Sequence, residues 1–129
     1  FYIKDVEGRY VGSDNWSNRN IMGLGGYNYP KTSYTLDGSL DETTIQSAGK
    51  YCLGWDNRIN CSSDSAEDNG NFRLEKQSDG GFKILVNGGT TKKVYMKGRK
   101  ITSSGDALSV QSNNGWYNQY DKFYLERAT

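Results

Sequence analysis

The sequence predicts an all-β domain made of three diverged copies of one four-strand unit, and three observations carry that reading. A strand, a glycine-centred turn and a second strand recur in Tyr2-Ile-Lys-Asp-Val-Glu-Gly-Arg-Tyr-Val-Gly12, in Thr44-Ile-Gln-Ser-Ala-Gly-Lys-Tyr-Cys-Leu-Gly54 and in Lys83 to Gly98. An aromatic residue and a Leu two positions apart close each copy, in Ser33-Tyr-Thr-Leu36, Asn71-Phe-Arg-Leu-Glu75 and Lys122-Phe-Tyr-Leu-Glu126. The composition also suits short strands and tight turns, with ten Tyr, three Trp and sixteen Gly in 129 residues.

The elements follow in order within each unit. Ile3, Ile45 and Ile84 open the copies at intervals of about forty residues, the length of one four-strand unit. The third copy places Gly88-Gly89 where the others have the single Gly8 or Gly49, an insertion of the kind turns accept. A short strand then begins at Asn20-Ile-Met22, at Arg58-Ile-Asn60 and at Lys100-Ile-Thr102. In a strand, residues two apart share a face, so Tyr34 with Leu36, Phe72 with Leu74 and Phe123 with Leu125 point to the core beside the three Ile. Three copies fit a β-trefoil with pseudo-threefold symmetry, since propellers need at least about four blades. The units run roughly 1–42, 43–80 and 81–129 of a single domain 1–129.

Sixteen Lys and Arg against fifteen Asp and Glu leave a net charge of +1, which gives no electrostatic reason to bind nucleic acid. No apolar run approaches the roughly 18 residues of a membrane-spanning helix, so no membrane insertion is expected. The chain has no His, which removes the commonest general base and the triads built on it; catalysis is not expected. Two Cys without His cannot complete a usual zinc site, and the acidic stretches 37–42 and 62–68 lack calcium-loop spacing, so neither metal nor cofactor is implied. Cys52 and Cys61 flank two strand ends around a turn, compatible with a disulfide across the hairpin or with two free buried thiols. The first alternative goes with a secreted or extracellular chain, the second with a cytoplasmic one.

The run Val6-Glu-Gly-Arg-Tyr-Val-Gly-Ser-Asp14, with the aromatic-x-Leu strands that carry Glu75 and Glu126, is similar to fascin-like trefoil modules. Gly49-Lys-Tyr-Cys-Leu53, with Ile59-Asn-Cys61 and Asn69-Gly-Asn-Phe72 after it, resembles a ricin-B-type lectin unit, in which two cysteines bridge adjacent strands. The resemblance implies a trefoil that binds glycans or proteins. The ricin-type sugar site carries over only in part: Gly54 stands where that family has an Asp, Asp56 follows two positions later, and Gly70-Asn-Phe72 replaces the Gln-x-Trp strand. Asn69 alone matches a polar sugar contact of that pattern.

Sugar recognition in water needs an aromatic face for the apolar side of the pyranose and amides or carboxylates for its hydroxyl pairs. Three stretches offer that combination in predicted loops: Asp14 with Trp16, Trp55-Asp56-Asn57, and Asn114 with Trp116, Tyr117 and Asn118. A lectin that recognises glycans or glycoproteins through these clusters is the leading expectation. The alternative is a protein-binding module, such as a fascin-like interaction domain, a protease inhibitor or a receptor ligand. For an inhibitor, the segment Tyr27-Asn-Tyr-Pro-Lys31 is the natural reactive loop.

Overall fold

A computed structural model describes residues 1–16, 19–24, 31–55, 58–66, 70–86, 94–97, 106–107, 109–111 and 121–128, several of the strand positions by backbone alone. The described residues form strands β1 (Tyr2–Lys4), β2 (Val11–Trp16), β3 (Arg19–Leu24), β4 (Thr35–Gly38), β5 (Thr43–Ser47), β6 (Lys50–Trp55), β7 (Arg58–Ser63), β8 (Phe72–Lys76), β9 (Phe82–Val86), β10 (Val94–Lys97), β11 (Asp106–Ala107), β12 (Ser109–Gln111) and β13 (Lys122–Glu126). Every recorded pairing is antiparallel.

The first layer is a curled sheet. β1 pairs with β13, β13 with β9, β9 with β8, β8 with β5, and β5 with β4. The chain just before β4 returns to the start of β1: Tyr34 N–H donates to the Phe1 carbonyl at 2.7 Å, and the Phe1 nitrogen donates to the Tyr34 carbonyl at 2.8 Å. These reciprocal bonds join the two ends of the sheet, so backbone groups that would form open edges there are paired.

Alternation along each strand decides what the curled sheet encloses. Ile3, Ile45 and Ile84 are each fully buried, and so are Phe72 and Phe123. Register sets them against one another, Ile3 facing Leu125, Ile45 facing Leu36, and Ile84 facing Leu74. Leu36 and Leu125 are partly buried against the same cluster. The core assignments read from the letters therefore hold. Tyr34 is buried as well, and its hydroxyl lies 3.1 Å from Ser13 Oγ, which supplies the partner a buried phenol needs. Burial pushes its pKa up.

The second layer consists of hairpins. β2 pairs with β3, β6 with β7, and β10 with β12. They interlock through Ile21 opposite Asn60 and through β11, which lies against Leu24 and Gly23 of β3. Val11, Met22, Cys52, Ile59 and Cys61 bring buried side chains from these hairpins into the same core. Of the expected strand starts, those at Ile21 and Ile59 fall in β3 and β7, while Ile101 lies outside the described residues.

Two turns show how the strand pairs are held. After β1, the buried Asp5 accepts the Glu7 and Arg9 N–H groups on Oδ1 at 3.0 and 2.8 Å, and Arg9 Nε and Nη2 on Oδ2 at 2.9 and 2.6 Å. Its carboxylate replaces the water it loses on burial with four donors. Between β5 and β6, Ser47 pairs with Lys50 across a two-residue turn, Ala48 and Gly49, with φ of 52° and 78°. Positive φ at both central residues is the hairpin turn whose twist matches the strands, and it suits Asn-Gly far better than Ala-Gly. Because Ala48 is exposed and in the left-handed region, Ala48→Asn is predicted to stabilise the protein by about 0.5–1 kcal/mol. A urea unfolding midpoint that falls rather than rises would contradict this account of the turn.

Candidate functional site

The ends of two hairpins carry the same four-residue device. Trp16 pairs with Arg19 and Trp55 with Arg58, so each hairpin has one strand that ends on a Trp and a second that resumes on an Arg three residues later. The tetrapeptides Trp16-Ser-Asn-Arg19 and Trp55-Asp-Asn-Arg58 share Trp, Asn and Arg at matching positions. The contact between Ile21 and Asn60 lies two residues past Arg19 in β3 and two past Arg58 in β7, so both hairpin ends flank one crossing point.

Trp16 and Trp55 are therefore strand residues that close hairpins, which corrects their expected place in loops. Aromatic residues suit strand positions, and a two-residue connection leaves no loop for them to occupy. Asp14 lies in β2 opposite Ile21. Asp56, Asn57, Asn69, Asn114, Trp116, Tyr117 and Asn118 lie outside the described residues. The shared Trp-x-Asn-Arg pattern would have located both hairpins, because each Arg marks where the second strand resumes.

Cys52 and Cys61 form a disulfide, and both are fully buried. The register of β6 and β7 shifts between Tyr51 and Leu53, since Tyr51 faces Ser63 while Leu53 faces Asn60. The extra residue falls in β7, and the bond crosses the ladder at that bulge. Close by, the buried Gly70 approaches β6 so nearly that a Cβ there would come within 2.6 Å of a Leu53 methyl. The β6–β7 hairpin is thus fastened below its Trp55 end by a covalent bond and a packed backbone segment.

Two polar clusters went unmarked in the sequence reading. At the seam between β1 and β13, the Lys4 ammonium lies 3.0 Å from Glu126 Oε2, which also accepts the Tyr10 hydroxyl at 2.8 Å. The hydrogen bond from Lys4 and then that from Tyr10 lower the Glu126 pKa, and the bond to Glu126 raises that of Lys4. The Tyr2 and Tyr10 rings meet edge to face at 5.7 Å. Lys31 places its ammonium 4.0 Å from the Tyr2 ring centre and 4.3 Å from that of Tyr10. These residues span the whole sequence, so no local motif reveals them.

The second cluster ties the β8–β9 turn to β13. Asp79 accepts the Gly81 N–H at 3.0 Å, Lys122 Nζ at 3.1 Å and the Tyr124 hydroxyl at 2.9 Å. The backbone bond from Gly81, followed by those from Lys122 and Tyr124, lowers its pKa to about 2.

No protein-family model matches the chain, and no curated protein matches it. Solved structures do. The structure of SeviL bound to asialo-GM1 saccharide has a TM-score of 0.69 at 17% identity, covering 99% of this chain and 96% of that one. A proteinase inhibitor from Coprinopsis cinerea has a TM-score of 0.74 at 10% identity, covering 98% and 96%. The cytolethal distending toxin from Actinobacillus actinomycetemcomitans has a TM-score of 0.73 at 12% identity, covering 99% and 93%. At these identities the likeness is one of fold, and that fold is of β-trefoil type.

Two outcomes follow from this geometry. Replacing both cysteines by Ala is predicted to destabilise the protein by about 2.5 kcal/mol, the chain-entropy value for a loop closed by residues nine apart. An unchanged denaturation midpoint would contradict that role. For Asp79, the folded-state pKa lies below the ordinary carboxylate value near 4. Its stabilising contribution is therefore complete above about pH 4 and is lost as pH falls toward 2. Acid titrations should show Asp79→Asn losing stability at neutral pH and having a flatter acid limb than the parent chain. Equal slopes for the two proteins below pH 4 would refute this.

Proposed function

We propose that the chain is a carbohydrate-binding lectin that recognises glycans through the Trp, Asn and Asp residues of its hairpin ends and of the 113–121 stretch. One observation carries the reading: two hairpins that cross at Ile21 and Asn60 each end on the same Trp-x-Asn-Arg motif, one on either side of the crossing, on a braced foundation. Each end combines an aromatic residue with amides, and the second adds the carboxylate of Asp56. That is the chemistry a pyranose with one apolar face and adjacent hydroxyls requires. The disulfide beneath Trp55 supports the reading further, since a site already ordered loses less entropy on binding. The likeness to SeviL bound to asialo-GM1 saccharide supports a saccharide ligand on this fold.

On this reading the domain comprises three four-strand units, roughly 1–42, 43–80 and 81–129, and each offers a weak site. Glycans with several branches would gain from simultaneous contact with more than one unit. The protein works without catalysis or a cofactor, and its disulfide suits a secreted or extracellular setting. The second reading, a protein-binding trefoil, is favoured by the likeness to the Coprinopsis cinerea proteinase inhibitor. Its reactive segment would be Tyr27 to Lys31.

The two readings separate in one comparison. On a glycan array, the parent chain should bind a defined set of neutral saccharides, and Trp55→Ala or Trp16→Ala should lower that signal at least about tenfold, the loss of one stacking aromatic. A folded chain that binds no glycan and blocks a protease in a panel assay would overturn the lectin reading in favour of the second.

A further inference from the structure

The Lys31 cluster presents an exposed positive charge that the fold holds in place over two aromatic rings, near enough to Glu126 to help lower its pKa. Lys31 is exposed, and among the described residues no carboxylate lies within ion-pair distance of its ammonium. The nearby Glu126 is already engaged by Lys4 and by the Tyr10 hydroxyl. Among the described residues the cluster therefore holds two lysines and one carboxylate.

What fixes Lys31 is aromatic. Its ammonium rests over the Tyr2 and Tyr10 rings, and Lys4 lies 5.0 Å from the Tyr10 ring centre on its own account. Ring faces attract a cation through their quadrupole, yet they leave its N–H donors free for a better acceptor. The chain is also held at and just after the residue: Lys31 bridges to Gly12, and Thr32 Oγ1 accepts the Ser13 N–H at 3.2 Å. A lysine side chain normally gives up considerable rotamer entropy when it binds a ligand. Here two rings and a bridge have already restricted it, as in a preorganised anion site.

We propose that Lys31, positioned by Tyr2 and Tyr10, forms a second subsite that takes the carboxylate of an acidic sugar. The assignment rests on the lectin reading for its ligand class and adds a site built without a Trp. The carboxylate accepts from the Lys31 ammonium, while Glu126 stays with Lys4 and keeps a competing negative charge occupied. Lys31 supplies binding, and the tyrosines act as positioning residues.

The test is an NMR titration of the Tyr2 and Tyr10 ring resonances with glucuronic acid, with glucose and acetate as parallel probes. Glucuronic acid should shift both rings saturably and more strongly than either control, and added salt should weaken the response. Lys31→Gln should weaken it at least about tenfold, the loss of a charge-assisted hydrogen bond, with an unchanged melting temperature. Tyr2→Leu should weaken it less, while Tyr2→Phe, which keeps the ring face, should restore it. An equal response to glucose, an equal response to acetate, or undiminished binding by Lys31→Gln would each overturn the subsite. Trp55→Ala separates the two proposals, because it should lower neutral-glycan signals at least about tenfold and leave the glucuronic acid titration intact. Neutral-glycan binding by a chain whose tyrosines ignore glucuronic acid would refute the subsite alone.

Discussion

An antiparallel sheet of this size has two edges, and the reciprocal backbone bonds between Phe1 and Tyr34 unite them. The remainder of the architecture depends on that closure. Once the sheet is curled, alternate residues of its strands face inward, and Ile3, Ile45, Ile84, Phe72 and Phe123 converge on one fully buried centre. Tyr34 is where closure and core meet: its backbone makes the seam, its ring packs inside, and its hydroxyl needs Ser13 of β2. That hydroxyl links the curled sheet to the hairpin layer.

The hairpins are constrained differently. They interlock through few backbone pairs, a single recorded one between β3 and β7, so their stiffness has to come from within each hairpin and from the core below. β6–β7 obtains it from a disulfide at a bulge, together with the close approach of Gly70. In β2–β3, the uninterrupted pairing from Val11 with Leu24 to Trp16 with Arg19 serves instead, with Val11 and Met22 buried beneath it. Equivalent hairpin ends are thus supported by unlike means. Core symmetry is kept because packing around a common centre punishes deviation, whereas hairpin supports can diverge.

The letters revealed what repeats and hid what assembles only in three dimensions. Ile3, Ile45 and Ile84 and the aromatic-x-Leu strands were legible because strand alternation maps directly onto burial. The pairing of Cys52 with Cys61 was the favoured reading but stayed open, since two free thiols at a nine-residue separation fit the letters too until the bulge sets their register. Trp16 and Trp55 were expected in loops because their neighbours Asn, Asp and Ser are loop formers, yet Asp14 and Asn15 lie in β2 and each Trp pairs with the Arg three residues on. The Asp79 and Lys31 clusters could not be foreseen, for each draws on segments that meet only when β13 closes against β1 and β9.

The pairing of β1 with β13 has a mechanical side. Tyr2 faces Glu126, Ile3 faces Leu125 and Lys4 faces Tyr124, so the first and last strands lie antiparallel with their outer ends together. Tension applied between residues 1 and 128 therefore loads the Phe1–Tyr34 bonds and then this short ladder one rung at a time from Tyr2 inward, as a zipper opens, instead of shearing all its rungs at once. The Lys4–Glu126 ion pair sits across that opening end, and Ile3 is the first fully buried side chain that a pull would expose. Resistance to force between residues 1 and 128 thus rests on a three-residue strand and the two backbone bonds beside it, although the core they cover is shared by strands of both layers.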